Sequence, residues 1–360
     1  MRLSEVKAAQ TNRISTGISE LDMVLGGGIV PGMAVLLSGE PGIGKSTLLL
    51  ELASKTNGVV LYVAGEESAS QIKIRADRLK IKTENLLVLE ETDVDNIIVD
   101  EKVKLLIVDS VQTLTTTDLS GTAGSVGQVR ECAARLISKA KQAQVPLFLV
   151  GHVTKEGTVA GPKVLEHAVD TILNLEGEKF TSLRLLRTTK NRFGPTDEVG
   201  LFEMKDTGLV ATTPTLPENA SQAGSCLTVT MEGTRPMVAE IQALVTETPI
   251  PNPRRVGSGV DHNRLLTIIA ILQKKLTIPL YKDDIYVSVA GGLKISEPGV
   301  DLAIALAILS SYRNKPLPPN SLAIGELDLL GQVRKVNSQE RRIKEARKLG
   351  FTKILSSLTL

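Results

Sequence analysis

Gly39-Glu40-Pro41-Gly42-Ile43-Gly44-Lys45-Ser46-Thr47 fits the pattern G-x-x-x-x-G-K-[ST]. Residues 33–37 before it are apolar, as a buried strand requires, and residues 46–54 after it are helix formers. Glycines at these spacings let successive backbone N–H groups turn inward around an anion, and the helix N-terminus adds its partial positive charge. Lys45 is spaced to reach the β- and γ-phosphates of a nucleoside triphosphate, and the Ser46 hydroxyl to ligate Mg2+. The stretch therefore predicts a site for ATP and Mg2+, opening an α/β domain.

Working outward, residues 14–17 and 21–28 form a turn-rich lead-in, because Gly26-Gly27-Gly28 and Pro31-Gly32 read as loop. Residues 59–64 form a strand apolar on both faces, as a parallel sheet demands. A helix is predicted over 70–79 and strands over 86–89 and 104–108. A polar Thr/Gly/Ser stretch, 113–127, leads to a helix over 128–143, a buried strand over 146–150 and a second polar loop over 153–163. Such βα alternation predicts a doubly wound sheet with its ligand at the carboxyl edge. From 169 the pattern turns to alternation at 171–175 and 183–189, predicting antiparallel strands that close the sheet. A linker rich in Thr and Pro, 212–218, separates a first domain, 1–217, from a second, 218–360. The second reads as α+β: strands at 226–231, 237–247 and 285–289, a helix at 263–275 and a buried helix at 302–311.

Several polar groups fall at strand ends, where the triphosphate is expected. Asp109 ends an apolar strand and is placed to hold Mg2+ beside Ser46. Glu66 and Glu67 follow strand 59–64; one of them, Glu66 first, could deprotonate the attacking water, the alternative being a solvated acidic turn. His152 ends the neighbouring strand, where it could sense the γ-phosphate or be merely structural. Lys190 and Arg192 share a hairpin-like turn; in a ring of subunits they could reach the neighbour's γ-phosphate, and otherwise they are an ordinary basic turn. The two polar loops, with Arg130, Lys155 and Lys163 nearby, suit the phosphates of single-stranded DNA.

Bulk composition narrows the classes. A net charge of +2 gives no overall basic field, so any nucleic-acid surface is local. Aromatics at 2% and no tryptophan argue against base-stacking platforms. Two isolated cysteines, Cys132 and Cys226, match no metal or disulfide spacing and fit a reducing, cytoplasmic compartment. The polar segment at 2–13 carries no apolar signal region, and no apolar run nears the ~18 residues of a membrane span.

Together the phosphate loop, Arg13-Ile14-Ser15-Thr16-Gly17, Gly65-Glu66-Glu67-Ser68, the stretches 151–157 and 161–167, and above all Lys190-Asn191-Arg192-Phe193-Gly194 resemble the RecA family of ATPases, closest to a bacterial branch that works in DNA repair and recombination. The resemblance implies a RecA-like domain, hexameric rings, hydrolysis of ATP to drive branch migration or unwinding, and partners that include single-stranded and branched DNA and a recombinase such as RecA. It also implies that Lys190 and Arg192 act near ATP at subunit interfaces, and that the two polar loops engage DNA. The alternative is a KaiC-like ring ATPase acting in protein signalling.

The second half is similar to the Lon proteolytic domain through Glu232-Gly233-Thr234-Arg235-Pro236 and residues 283–311. That resemblance places Gly299 at the Lon serine and Glu340 at its lysine, so no peptidase activity is expected. Ring assembly and DNA contact, through Arg254, Arg255, Arg264 and Lys274, are its implied roles. Members of the branch usually begin with a four-cysteine zinc module, which this sequence does not contain.

Overall fold

The computed structural model describes residues 13–152, 162–177, 182–212, 222–248 and 251–358. Lys155, most of the second polar loop and most of the linker stretch lie outside them. The chain divides into two compact units, Met1–Thr213 and Pro214–Leu360.

In the first unit, helix α1 (Ser19–Val24) precedes strand β1 (Ala34–Gly39), helix α2 (Lys45–Lys55), β2 (Val59–Ala64) and α3 (Ala69–Arg78). Then come β3 (Leu86–Glu90), β4 (Val103–Asp109), α4 (Val126–Gln142), β5 (Leu147–His152) and β6 (Thr171–Glu176). Strands β7 (Leu183–Asn191), β8 (Val199–Lys205) and β9 (Gly208–Ala211) complete a sheet of order β3-β2-β4-β5-β1-β6-β7-β8-β9. The first six strands in that order are parallel and the last three antiparallel.

Strand geometry sends alternate side chains to opposite faces. Val35, Leu37, Phe148 and Val150 accordingly enter one buried layer, and Ala34, Leu36, Leu147 and Leu149 the other. Both faces are dry, which is why these strands read as unbroken apolar runs.

Two expectations are corrected here. The stretch read as turn contains α1, whose Leu21 and Val24 are buried. Strand β6 is parallel to β1, with Val35 opposite Thr171 and Gly39 opposite Leu175, so the antiparallel part begins only at β7. The alternation in Thr171-Ile172-Leu173-Asn174-Leu175 reports a half-polar face, and pairing direction is set by the crossover that delivers the strand.

The second unit begins with β10 (Ser225–Glu232), β11 (Arg235–Glu247) and β12 (Arg255–Ser258). Helix α5 (His262–Leu276), β13 (Asp283–Val289), α6 (Asp301–Tyr312) and α7 (Gln339–Lys348) follow. Its main sheet has the order β10-β11-β13-β12, mixed in direction. Helix α6 is buried from Asp301 to Ser310, so it is apolar all round and forms the centre of this unit's core.

Candidate active site

The carboxyl edge of the parallel strands holds a cleft of 430 Å3. Lys45, Ser46, Glu66, Asp109 and His152, delivered by four neighbouring strands, all line it. Pro41, Gly42, Gly44 and Thr47 line it as well, whereas Gly39, Glu40 and Ile43 shape the loop from behind. Ile43 turns into the core, and its carbonyl accepts from Arg184 Nε at 3.2 Å. Two glycines are sterically required. A Cβ on Gly39 would sit 2.5 Å from the Leu175 carbonyl oxygen, and one on Gly44 would sit 2.7 Å from Met204 Cε, with φ positive at both.

Lys45 is 4% exposed and donates to the carbonyls of Gly39 at 2.9 Å and Glu40 at 3.0 Å. Burial lowers its pKa, against the pull of the Asp109 and Glu66 carboxylates. These carbonyl bonds hold the ammonium where a phosphate oxygen could replace them.

The two adjacent glutamates have different fates. Glu67 forms a two-pronged ion pair with Arg75 of α3, its Oε2 accepting from Nη1 at 2.7 Å and its Oε1 from Nη2. Glu66 Oε1 accepts from Ser110 Oγ at 2.5 Å and lies 3.5 Å from His152 Nε2. Both glutamates line the cleft, and Glu66 is the one of the two not held by a cation fork. Asp109 accepts from the Tyr62 hydroxyl at 2.7 Å, a bond that helps drive the phenol's pKa upward, after burial and the Asp109 charge itself. Burial, then the charge of Lys45, depress the pKa of His152, against the pull of the Glu66 and Asp109 carboxylates.

Lys190 and Arg192 lie elsewhere. Lys190 closes β7 opposite Ile172, near the start of β6, so it sits at the amino edge of the parallel strands. Lys190 Nζ donates to the carbonyls of Glu166 and, at 2.8 Å, Val169. Arg192 pairs with buried Asp170 at 3.2 Å, which also accepts from Lys141 Nζ at 3.2 Å and from the Ala34 amide at 3.0 Å. Desolvation, then Arg192, press Lys190 below the ordinary lysine range. The rest of the pentapeptide is a packing device. Asn191 Nδ2 donates to the Leu25 carbonyl at 3.3 Å, Arg13 holds the Phe193 carbonyl, and a Cβ on Gly194 would lie 3.2 Å from Gly26 Cα. Only Arg192 to Gly194 form the turn, since Lys190 and Asn191 belong to β7.

Arg130 is exposed on α4 and Lys163 is exposed in the short turn before β6. Arg264 is not a free surface cation. Its fork grips Asp301, a fully buried carboxylate, with Nε donating to Oδ1 at 2.8 Å and Nη2 to Oδ2. Burial raises the Asp301 pKa, and Arg264's bonds oppose that rise.

In the second unit the group facing Gly299 is Arg342, not Glu340. A Cβ on Gly299 would lie 3.0 Å from Arg342 Nη1. Arg342 is 1% exposed and donates through Nη1 to the Val229 carbonyl at 2.6 Å and to Glu297 Oε1 at 2.7 Å. Burial works to raise the Glu297 pKa, but the Arg342 bonds bring it below the usual range. Glu340 is exposed, since two residues along a helix is a rotation of about 200°.

Tyr62, Ser110, Arg75 and Asp170 escaped the sequence reading. Tyr62, Ser110 and Asp170 depend on partners 44 or more residues away, and Arg75 on Glu67 across the turn into α3.

Residues 2–158 match the family described as AAA domain, and residues 262–359 the family described as subunit ChlI of Mg-chelatase. DNA repair protein RadA of Bacillus subtilis is 48% identical over 364 residues, covering 98% of this chain and 80% of the relative. RadA of Streptococcus pneumoniae is 50% identical over 364 residues, covering 98% and 87%. Among solved structures, the RadB recombinase is 22% identical with a TM-score of 0.43, covering 55% of this chain and 99% of that one. A KaiC-like protein of Pyrococcus horikoshii is 20% identical with a TM-score of 0.46, covering 56% and 99%. With close to half of its residues shared along nearly its whole length, the chain belongs to the family of DNA repair protein RadA.

Proposed function

We propose that this chain is an ATP-hydrolysing motor that acts on single-stranded and branched DNA in recombination and repair, driving branch migration or unwinding. The observation that carries the reading is the convergence of Lys45, Ser46, Glu66, Asp109 and His152 on one cleft at the carboxyl edge of the sheet. A bound γ-phosphate draws Lys45 Nζ from the Gly39 and Glu40 carbonyls, so the ammonium comes to face the developing negative charge. Glu66 accepts the proton of the attacking water, and the Ser110 hydroxyl bonded to its Oε1 fixes the carboxylate's direction. Ser46 and Asp109 offer a hydroxyl and a carboxylate, hard oxygen donors that suit a Mg2+ ion keeping phosphates and waters as its other ligands. Mg2+ held there would neutralise charge on the phosphate oxygens.

Lys190 and Arg192, at the opposite edge from their own cleft, serve a neighbouring subunit's phosphate in a hexameric ring, or DNA. Arg130, Lys155 and Lys163 supply phosphate contacts without base readout. The second unit is a Lon-like scaffold without peptidase activity, an assignment supported by Arg342 filling the space beside Gly299. The test is the steady-state ATPase rate with and without single-stranded DNA. Stimulation that weakens as salt rises is expected; a rate indifferent to DNA, with no DNA binding at low salt, would return the chain to the KaiC-like signalling reading.

A further inference from the structure

Gln112 lies in the short 3-10 turn Val111–Thr113 that follows Asp109 and Ser110, at the mouth of the first polar loop. It is 8% exposed, and its Nε2 donates to the His152 carbonyl at 3.4 Å. Its Oε1 is buried with no hydrogen-bond partner, and so is His152 Nδ1. Two orphaned polar atoms thus sit on two residues already joined to each other, and both bear a desolvation cost.

The protonation chemistry restricts how they can be satisfied. A neutral imidazole carries one proton, on Nδ1 or on Nε2. With the proton on Nε2, Nδ1 and Gln112 Oε1 are both acceptors, and neither can satisfy the other. Turning the Gln112 amide over would give Nδ1 a donor but would set Oε1 against the His152 carbonyl oxygen, losing the bond that exists. Between the two side chains themselves, the Nδ1–H form is the one that can pair Nδ1 with Oε1 while keeping that bond. It leaves Nε2 as a bare acceptor 3.5 Å from Glu66 Oε1. Two acceptors so placed converge on the two protons of one water. Burial and the charge of Lys45 lower the basicity of His152, which favours the neutral ring this role needs.

We propose that Gln112 is a positioning residue for hydrolysis: its Oε1 holds His152 as the Nδ1–H tautomer in the nucleotide-filled cleft, so that His152 Nε2 and Glu66 together orient the attacking water. The inference rests on the reading of the cleft as an ATP-hydrolysing site. It also couples the start of the first polar loop to the strand end that leads into the second.

The chain has three histidines, so 15N spectra of histidine-labelled full-length protein, sedimented with a non-hydrolysable ATP analogue, can separate the tautomers. The His152 signals are assigned by their loss in His152→Asn. Wild type is expected to show protonated Nδ1. Gln112→Leu, which keeps the volume and removes the acceptor, is expected to move the proton to Nε2 and to lower kcat by ~10–100-fold at unchanged KM, the range typical of partners that orient a catalytic group. Gln112→Glu retains an acceptor at the same place and should keep protonated Nδ1 and more of the rate than Gln112→Leu. Should Gln112→Leu fail to fold, wild type and Gln112→Glu decide the matter. Protonated Nε2 in wild type, or an unchanged kcat in folded Gln112→Leu, overturns the proposal. Wild type that binds the analogue but hydrolyses no ATP overturns the broader reading instead, and the spectra still report the tautomer.

Discussion

Lys45 and Lys190 solve the same problem at opposite ends of one strand. Each ammonium is desolvated, each has its pKa pushed down, and each rests on two backbone carbonyls instead of a carboxylate. Lys45 lies beyond Gly39, the last residue of β1, while Lys190 lies beside the strand's first residues, through Val169 and Asp170. Five residue steps of strand put roughly 17 Å between those ends. One end faces acidic groups across a cleft; the other gathers cations around the single buried carboxylate of Asp170. A lysine resting on carbonyls gives up little when an anion arrives, which is the ground for proposing phosphate contacts at both ends. They cannot share one within a single chain.

The largest effect should come from removing the cleft lysine. Lys45→Ala is expected to lower kcat by ~10²–10³-fold or more, as for loss of a preorganised charge donor. Stability should change little, because only carbonyl bonds are lost. A coupled phosphate-release assay with thermal melts checks both; a Lys45→Ala chain that hydrolyses ATP normally would remove the cleft from the argument.

Glu66→Gln and Glu67→Gln sharpen the picture of the carboxyl edge. Glu66→Gln should bind ATP and lose ~10²–10⁴-fold in kcat, the span of general-base catalysis. Glu67→Gln only weakens a partly exposed pair with Arg75, so a change below about fivefold is expected for a pair worth ~1 kcal/mol. The reverse ranking in single-turnover rates would move the base one residue along.

How much of this was legible in sequence divides along the same line. The phosphate loop, Asp109 and the two glutamates are local patterns, because a strand end and a helix start fix where such residues point. The amino edge was not legible. Asp170 has meaning only through the Ala34 amide, 136 residues away, and through Arg192. Sequence ranked Glu66 ahead of Glu67 but could not show what separates them, which is Arg75 reaching Glu67 from the next helix. In the second unit the group beside Gly299 is buried Arg342, two positions along α7 from exposed Glu340, a contact that depends on helical phase and packing and that no local pattern announces. Arg264 read as surface because nothing near it in sequence announces Asp301 as its partner.

A mixing experiment tests whether the two ends belong to different active sites. A Lys190→Ala subunit keeps its own cleft intact, and a Lys45→Ala subunit keeps its own amino edge. If the amino edge serves the neighbour, mixed oligomers contain interfaces that pair an intact cleft with an intact Lys190, and part of the ATPase activity returns. Demonstrated subunit mixing with no recovered activity at any ratio would assign Lys190 to DNA alone.

The smallest effect tests whether the two ends are mechanically independent. Asp170→Asn keeps an acceptor for the Ala34 amide but removes the charge that faces Lys141 and Arg192. Both cations are about half exposed, so each pair contributes only ~0–1 kcal/mol. A loss of about 1 kcal/mol in total lowers the melting temperature of a unit this size by a few degrees. Asp170→Ala should cost more, because it leaves the buried Ala34 N–H without a partner, a penalty of ~1–3 kcal/mol. Hydrogen exchange at the Ala34 amide separates the two variants directly: slow in wild type, little changed in Asp170→Asn, and fast in Asp170→Ala. ATP affinity should match wild type in Asp170→Asn, since nothing in the cleft contacts Asp170. What should suffer is the function that needs Arg192 held in place, seen as weaker complementation of Lys45→Ala subunits. If Asp170→Asn instead abolishes nucleotide binding in its own chain, β1 transmits strain from end to end, and the two ends form one site in the mechanical sense.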